Sequence, residues 1–174
     1  EVKLQPKGRV PGQLPRIGYK AVMPEGFDRF TWYGRGPQES YADRKNGTPV
    51  GLYSGTVDQQ FVNYPVPQEN GNKTDVRWAS LTDKNGFGFK IFGSELIETS
   101  VSHYPERNIE TAQHVYDLKK RPETYWNIDY RNAPLGNGSC GPGPLAKYQI
   151  KPANVSFKLF MQPLEGVRFA HKKL

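Results

Sequence analysis

The 174-residue sequence has a single cysteine, Cys140, and only three histidines. One cysteine excludes an intrachain disulfide and any zinc site built from several thiolates. With so few soft ligands, the sequence argues against a transition-metal site. A cation held by loop carbonyls and carboxylates would leave almost no sequence signature, so that kind of site stays open.

Long apolar runs and an excess of acidic residues are also absent. No apolar stretch approaches the ~20 residues that a membrane span requires. The 24 lysines and arginines outnumber the 17 acidic residues and give a net charge of +7. Because the basic residues are scattered and only 119–121 is dense, we interpret them as a solvated surface rather than a nucleic-acid footprint. A protein that binds neutral sugars does not need a net charge of either sign, so this charge is compatible with such a ligand.

The chain has the size of one domain with enough volume for a real core. It begins at Glu1 without a methionine and opens in what reads as a strand or a linker. We therefore interpret it as a piece of a longer protein, and the missing start makes the question of a signal peptide uninformative.

Turn-forming residues recur along the whole chain, with 18 glycines and 15 prolines. The segments between them alternate polar residues with β-branched and aromatic ones, which is typical of half-buried strands. This pattern predicts an antiparallel all-β domain. The clearest alternating segments are 30–33, 76–81, 88–92, 124–129 and 155–160.

Local signals add a turn, a helix and provisional boundaries. Asn85-Gly86 predicts a hairpin turn, and Pro105 predicts the start of a helix of one or two turns that ends near Thr111. We expect a lead-in or linker over residues 1–14, the β-sandwich over 15–162, and a C-terminal tail over 163–174 that gives the last strand a polar end.

Four sequence blocks carry a family resemblance. Residues 32–44 read WYGRGPQESYADR, and 67–78 contain PQENGN followed by TDVRW. Two shorter blocks follow, WNID at 126–129 and SCGPGP at 139–144. In this order, over roughly residues 15–160, the blocks resemble the last domain of lac-type β-galactosidases of glycoside hydrolase family 2, whose signatures are WxGxGPxENYxDR and PQENGNxTDVRW.

The resemblance implies a fold. In that family the region belongs to a galactose-mutarotase-like β-supersandwich, in which two large antiparallel sheets pack face to face. The family's domain has further strands N-terminal to the position of Glu1, so the sequence predicts a partial domain. Missing strands would expose sheet edges, and the chain could compensate by pairing with another copy.

The resemblance also implies a function. It predicts the accessory C-terminal part of a retaining β-galactosidase, which completes the active-site wall and supports assembly while the parent enzyme hydrolyses terminal β-D-galactosides. The family's two catalytic glutamates lie on a separate (β/α)₈ barrel of about 250 residues, and no segment here resembles it. We therefore predict no catalytic residue in this chain and no activity of the fragment alone.

Further expectations concern partners, cofactors and location. The implied partners are the catalytic barrel and other domains of the parent chain and the galactoside substrate, with a homo-oligomeric full-length enzyme and neither nucleic acid nor membrane. No cofactor is expected on this chain, although the family commonly uses Mg²⁺ and Na⁺. The compartment stays open between the bacterial cytoplasm and periplasm, and the sequence does not fix the glycoside or the oligomer.

The first two blocks contain many charges within short spans. We predict a structural polar cluster in which carboxylates pair with arginines and cap tight turns. The alternative is a vestigial or distinct acid/base site, for which Asp129 is a further candidate. The predicted cluster consists of Arg35, Glu39, Asp43, Arg44, Glu69, Asp75 and Arg77.

The fourth block predicts a substrate-pocket loop that includes Asn137, Ser139 and Cys140. In the resembling family this loop reaches the mouth of the barrel, and in the best-known members a tryptophan at the place of Cys140 forms an apolar platform for the sugar. Cys140 offers only a small, weakly polar surface, which predicts a different aglycone preference or a different glycoside. The alternative is a turn of small residues with a buried, inert cysteine.

Two rival functions remain open. One is a free-standing carbohydrate-binding module, for which tryptophans would form a binding strip, although we expect Trp32 and Trp126 in the core and Trp78 less so. The other is a mutarotase-like enzyme that uses His114 or His103 with Glu69 as acid and base.

Overall fold

A computed structural model describes residues 1–8, 12–136 and 141–166. The described part of the chain is built mainly from strands. They are β1 (Val2–Leu4), β2 (Arg16–Met23), β3 (Arg29–Arg35), β4 (Val50–Thr56), β5 (Lys73–Val76), β6 (Trp78–Thr82), β7 (Phe87–Gly93), β8 (Ile97–Ser102), β9 (Thr124–Asn132), β10 (Val155–Phe157) and β11 (Leu159–Glu165). Helix α1 spans Glu106–Thr111, and single 3-10 turns span Asp58–Gln60, Val115–Asp117 and Ala146–Tyr148.

The strands form two main antiparallel sheets and one small one. The five-stranded sheet has the order β11-β7-β6-β3-β4, and the four-stranded sheet has the order β2-β9-β8-β5. Strands β1 and β10 pair separately. This arrangement confirms the predicted antiparallel β-sandwich. None of the described helices has the length and apolarity needed to span a membrane.

The core lies between the two main sheets and follows from the alternation of the strands. In β3, Phe30 and Trp32 point inward and are almost fully buried, while their neighbours point outward. Trp126 and Ile128 of β9 fill the core from the opposite sheet. Since alternate residues of a strand face opposite sides, period-two alternation is sufficient to place these side chains. The prediction that Trp32 and Trp126 belong to the core is confirmed.

The predicted hairpin and helix are both present. Asp83 and Phe87 pair across the turn between β6 and β7, and Gly86 has a φ of +82° that L-residues rarely adopt. Helix α1 begins directly after Pro105 and ends at Thr111.

Two predicted strands are divided between sheets. Segment 76–81 is interrupted at Arg77, so that β5 and β6 belong to different sheets, and segment 155–160 is divided in the same way between β10 and β11. His114 lies outside the strands and directly precedes the 3-10 turn Val115–Asp117. At the termini, β1 lies within the predicted lead-in, and β11 pairs with β7 as far as Glu165.

Candidate functional site

The first block is anchored by Arg35 at the end of β3. Its Nε donates to the Asp75 carboxylate, and its terminal nitrogen donates to the carbonyls of Lys45 and Thr48 at 3.1 and 2.9 Å. Lys45 Nζ lies 3.0 Å from the same carboxylate. Burial alone would raise the pKa of Asp75, but the hydrogen bonds from Arg35 and Lys45 outweigh it and lower the pKa below its ordinary value.

Glu39 joins the first block to the second. Its carboxylate accepts hydrogen bonds from Arg44 and from the Tyr64 hydroxyl, and the backbone N–H of Gly71 donates to its other oxygen at 2.8 Å. One carboxylate therefore neutralises an arginine and also satisfies a backbone donor in the turn that precedes β5. This is the pairing of carboxylate, arginine and tight turn that the sequence pattern suggests.

Asp43 and Arg77 stand apart from these contacts. Asp43 forms no ion pair within the described part of the chain, and it lines a shallow depression beside Glu39 and Arg44. The Arg77 guanidinium donates to the Asp75 carbonyl at 2.6 Å and lies over the ring of Tyr33. The seven predicted residues are therefore distributed over separate groups instead of one cluster.

Glu69 belongs to a third group, at the polar end of the four-stranded sheet. Arg16 of β2 lies 3.1 Å from the Glu69 carboxylate, and the Asn132 amide of β9 donates to the same oxygen at 3.2 Å. Arg16 also donates to Glu106 of α1 at 3.0 Å. Burial raises the pKa of Glu69, although Arg16 and Asn132 oppose that shift. Sequence reasoning missed Arg16, since its partners are distant in the chain.

Two further carboxyl groups are buried next to this group. Asp129 and Glu98 are opposite each other in the ladder between β9 and β8. The Asp129 side chain is 1% exposed, its nearest cation is Arg16 Nε at 3.9 Å, and both its oxygens lack a hydrogen-bond partner among the described residues. Glu98 accepts a hydrogen bond from the Asn72 amide at 2.8 Å and another from the Asn132 backbone. Burial raises the pKa of Asp129 to about 8 and that of Glu98 to about 7.

The predicted substrate-pocket residues Asn137, Ser139 and Cys140 lie outside the described residues, but the base of their loop is visible. Gly136 has a φ of +60°, and a Cβ there would lie 2.6 Å from the nitrogen of Pro144, so the two ends of the loop pack directly together. The Ala133 N–H, just after β9, donates to the Pro15 carbonyl at 2.8 Å. The loop base is thus fixed beside Asn132 and Arg16.

The histidines have other partners than Glu69. The His103 ring lies 2.9 Å from the Glu123 carbonyl and 3.3 Å from Asp28, while His114 stacks on Tyr116. The described residues therefore do not provide the histidine–glutamate pair of a mutarotase-like mechanism. No group of three or more histidine, cysteine or acidic side chains converges as metal ligands in the described part of the chain.

The two packed antiparallel sheets define this chain as a β-sandwich domain, with a network of charged side chains beside the residues that flank segment 137–140. Residues 1–161 match the family described as beta galactosidase small chain. The chain belongs to this family, as the small-chain region of β-galactosidases.

Individual relatives agree with this assignment. The chain is 40% identical over 136 residues to a β-galactosidase of Priestia megaterium, with 78% of this chain and 13% of the relative covered. It is 33% identical over 149 residues to a β-galactosidase of Kluyveromyces lactis, with 85% of this chain and 14% of the relative covered. The chain thus spans only a small part of the length of the relatives it matches.

Replacing Arg35 tests the anchoring role of the first block. Arg35→Ala removes three charge-assisted contacts and leaves Asp75 with a single cation, so we expect the free energy of unfolding to fall by about 2 kcal/mol. The measurement is urea unfolding of the purified chain. Arg29→Ala is the matched control, because Arg29 is an exposed arginine on the same strand and its loss should change stability little. Equal midpoints for both variants would contradict the anchoring role.

The buried acids predict a stability that depends on pH. The pKa of Asp129 rises from an ordinary 3.8 to about 8, and that of Glu98 from 4.5 to about 7. Because the folded chain holds these protons more tightly than the unfolded chain, the resulting stabilisation is full below about pH 4 and is lost as the pH rises toward about 8. The lowered pKa of Asp75 acts in the opposite sense, but its contribution is lost only at acidic pH, outside this window.

Asp129→Asn should therefore flatten the decline in unfolding free energy between pH 5 and 8, which urea unfolding at several pH values measures. Asp58→Asn provides the control, since Asp58 is an exposed residue paired with Lys120, and this variant should keep the decline. A wild-type slope in Asp129→Asn would show that Asp129 does not hold its proton in the folded chain.

Proposed function

We propose that this chain is the accessory C-terminal β-sandwich of a retaining β-galactosidase, where it completes the active-site wall and supports assembly. The parent enzyme hydrolyses terminal β-D-galactosides. The observation that carries this proposal is the family match over residues 1–161, together with relatives that are named β-galactosidase and are several times longer than this chain.

The geometry of the loop base supports the active-site role. A loop that projects toward a neighbouring domain needs a rigid foundation, because a displacement of its tip alters the pocket. Here the contact between Gly136 and Pro144 closes the base, and Asn132 connects it to the half-buried Glu69–Arg16 pair.

The carboxylates of this chain are poorly suited to catalysis. A retaining glycosidase requires two carboxyl groups about 5–5.5 Å apart that both reach the sugar. Glu39 and Asp75 are each engaged by cations, whereas Asp129 and Glu98 are buried. The rival function of a free-standing carbohydrate-binding module has less support, since Trp32 and Trp126 are in the core and cannot contact a glycan.

We predict that the purified chain does not hydrolyse a chromogenic β-galactoside. The catalytic pair that the family uses has no counterpart among the engaged and buried carboxylates above. The assay is release of the chromophore at high protein concentration. Turnover that disappears in Glu39→Gln or Glu69→Gln, but persists in the exposed control Glu25→Gln, would contradict the proposal.

Cys140→Trp in the full-length parent tests the role of the loop. A tryptophan restores an aromatic face for the sugar, so we expect a changed KM or a changed ratio of kcat/KM between two aglycones, where a tenfold change corresponds to about 1.4 kcal/mol. Cys140→Ser is the control, because it adds no aromatic surface. Unchanged kinetics in Cys140→Trp for every substrate, with normal folding, would place the loop outside the pocket.

A further inference from the structure

One row of apolar side chains crosses the outer face of the five-stranded sheet. Tyr33 is opposite Leu52 on one side and Trp78 on the other. Because Ala79 of β6 pairs with Ile91 of β7, the next residue of β7, Phe92, lies beside Trp78. On its other side, Phe92 lies opposite Phe160 of β11. Every strand of the sheet thus contributes one apolar side chain. With a strand spacing of about 4.8 Å, the row is about 19 Å long.

This row is open to solvent in the described chain. Leu52 is 67% exposed, Phe160 44% and Tyr33 41%, and the two residues between them are half-buried. The adjacent row on the same face is polar. It consists of Thr31, Ser54, Ser80, Lys90 and Gln162. The apolar surface is therefore a continuous stripe and not a random scatter of exposed hydrophobic residues, and stripes of this kind mark interaction sites.

The surroundings of the stripe are cationic. The Arg77 guanidinium lies 5.4 Å from the centre of the Tyr33 ring, and Lys90 Nζ lies 4.4 Å from the centre of the Trp78 ring. The strand positions that share this outward face include Arg29 and Lys90, but they include no aspartate or glutamate among the described residues. A surface that covers this face is therefore favoured when it supplies carboxylates beside its own apolar groups.

Ring orientation decides between a glycan and a protein as the occupant. A sugar stacks on an aromatic ring whose face is open to solvent. The Phe92 and Phe160 rings are stacked on each other, with centroids 5.1 Å apart and planes 13° apart, so they stand side by side and present their edges. The other two rings are overlaid by Arg77 and Lys90. Upright rings can interdigitate with the apolar side chains of a protein, but they do not form a flat sugar platform.

We propose that this stripe is the docking surface for another part of the parent polypeptide, one that presents apolar side chains flanked by carboxylates. The inference rests on the proposed function in one respect, namely that this chain works within a β-galactosidase. The Priestia megaterium relative is matched over only 13% of its length, so most of such a parent is available to the stripe. A segment tethered in the same chain has a high effective concentration and occupies such a surface ahead of free partners.

The test is thiol footprinting of the full-length parent with Leu52→Cys, read by peptide mass spectrometry so that other cysteines do not interfere. The labelling rate at position 52 is divided by the rate in the denatured protein. Docking predicts labelling at least about tenfold slower in the native protein, since a buried thiol is inert. Tyr116→Cys calibrates the reagent, because Tyr116 is 79% exposed and lies away from this sheet.

Each result decides the matter. Labelling at position 52 as fast as in the denatured protein would overturn the proposal. Protection that disappears when dilution dissociates the oligomer would assign the stripe to contacts between copies, and protection that appears only with added galactan would assign it to a glycan. The readout does not use catalysis, so it can fail or succeed independently of the Cys140→Trp experiment.

The charge requirement has its own test. In the Leu52→Cys background, Lys90→Glu places a like charge against the partner's carboxylates and should accelerate labelling at position 52 several-fold. Lys84→Glu makes the same charge change in the turn between β6 and β7 and should have no effect. Equal rates in both variants would show that carboxylates do not flank the stripe's partner.

Discussion

Arg16 is the cation on which the polar end of the four-stranded sheet depends. It contacts Glu69 and Glu106 and is also the cation nearest to Asp129. Removing a charged group from water costs several kcal/mol per ion unless well-placed opposite charges and hydrogen bonds offset that cost. Burial raises the pKa of Asp129 to about 8 and that of Glu98 to about 7, and the attraction of Arg16 offsets the shift of Asp129 only in part. Arg16 of β2 thereby links the sheet to Glu69 of the second motif block and to Glu106 of α1.

The same contacts determine where the loop after β9 starts. Asn132 is the last residue of β9 and donates to Glu69, and the next residue, Ala133, is bound to the Pro15 carbonyl beside Arg16. The loop therefore leaves the sheet from the point at which the buried charges are concentrated.

Sequence reasoning recovered the parts of this structure that have a local signal. Alternation predicted β3, β7 and β9, and Asn85-Gly86 predicted the hairpin turn between β6 and β7. Alternation did not reveal the sheet changes near Arg77 and Lys158, because one linking residue can leave the polar–apolar pattern intact. Arg16 and Glu98 were missed for a different reason. An ion pair between distant positions, such as that of Arg16 with Glu106, leaves no local pattern, and Glu98 occupies an ordinary outward position of its strand.

The outer faces of the two sheets differ in polarity and in how much of them other segments of the chain cover. The outer face of the four-stranded sheet carries Glu98, Asp129 and Asn127. Arg16 is the cation nearest to Asp129, and Asn72 of the second motif block donates a hydrogen bond to Glu98. These acidic side chains are covered by other segments of the chain, although both Asp129 oxygens lack a hydrogen-bond partner among the described residues. The outer face of the five-stranded sheet instead presents an apolar stripe that stays open to solvent in the described chain. The described chain thus covers its acidic outer face with its own segments and leaves the apolar outer face open, and this asymmetry is what the proposed docking through the five-stranded sheet requires.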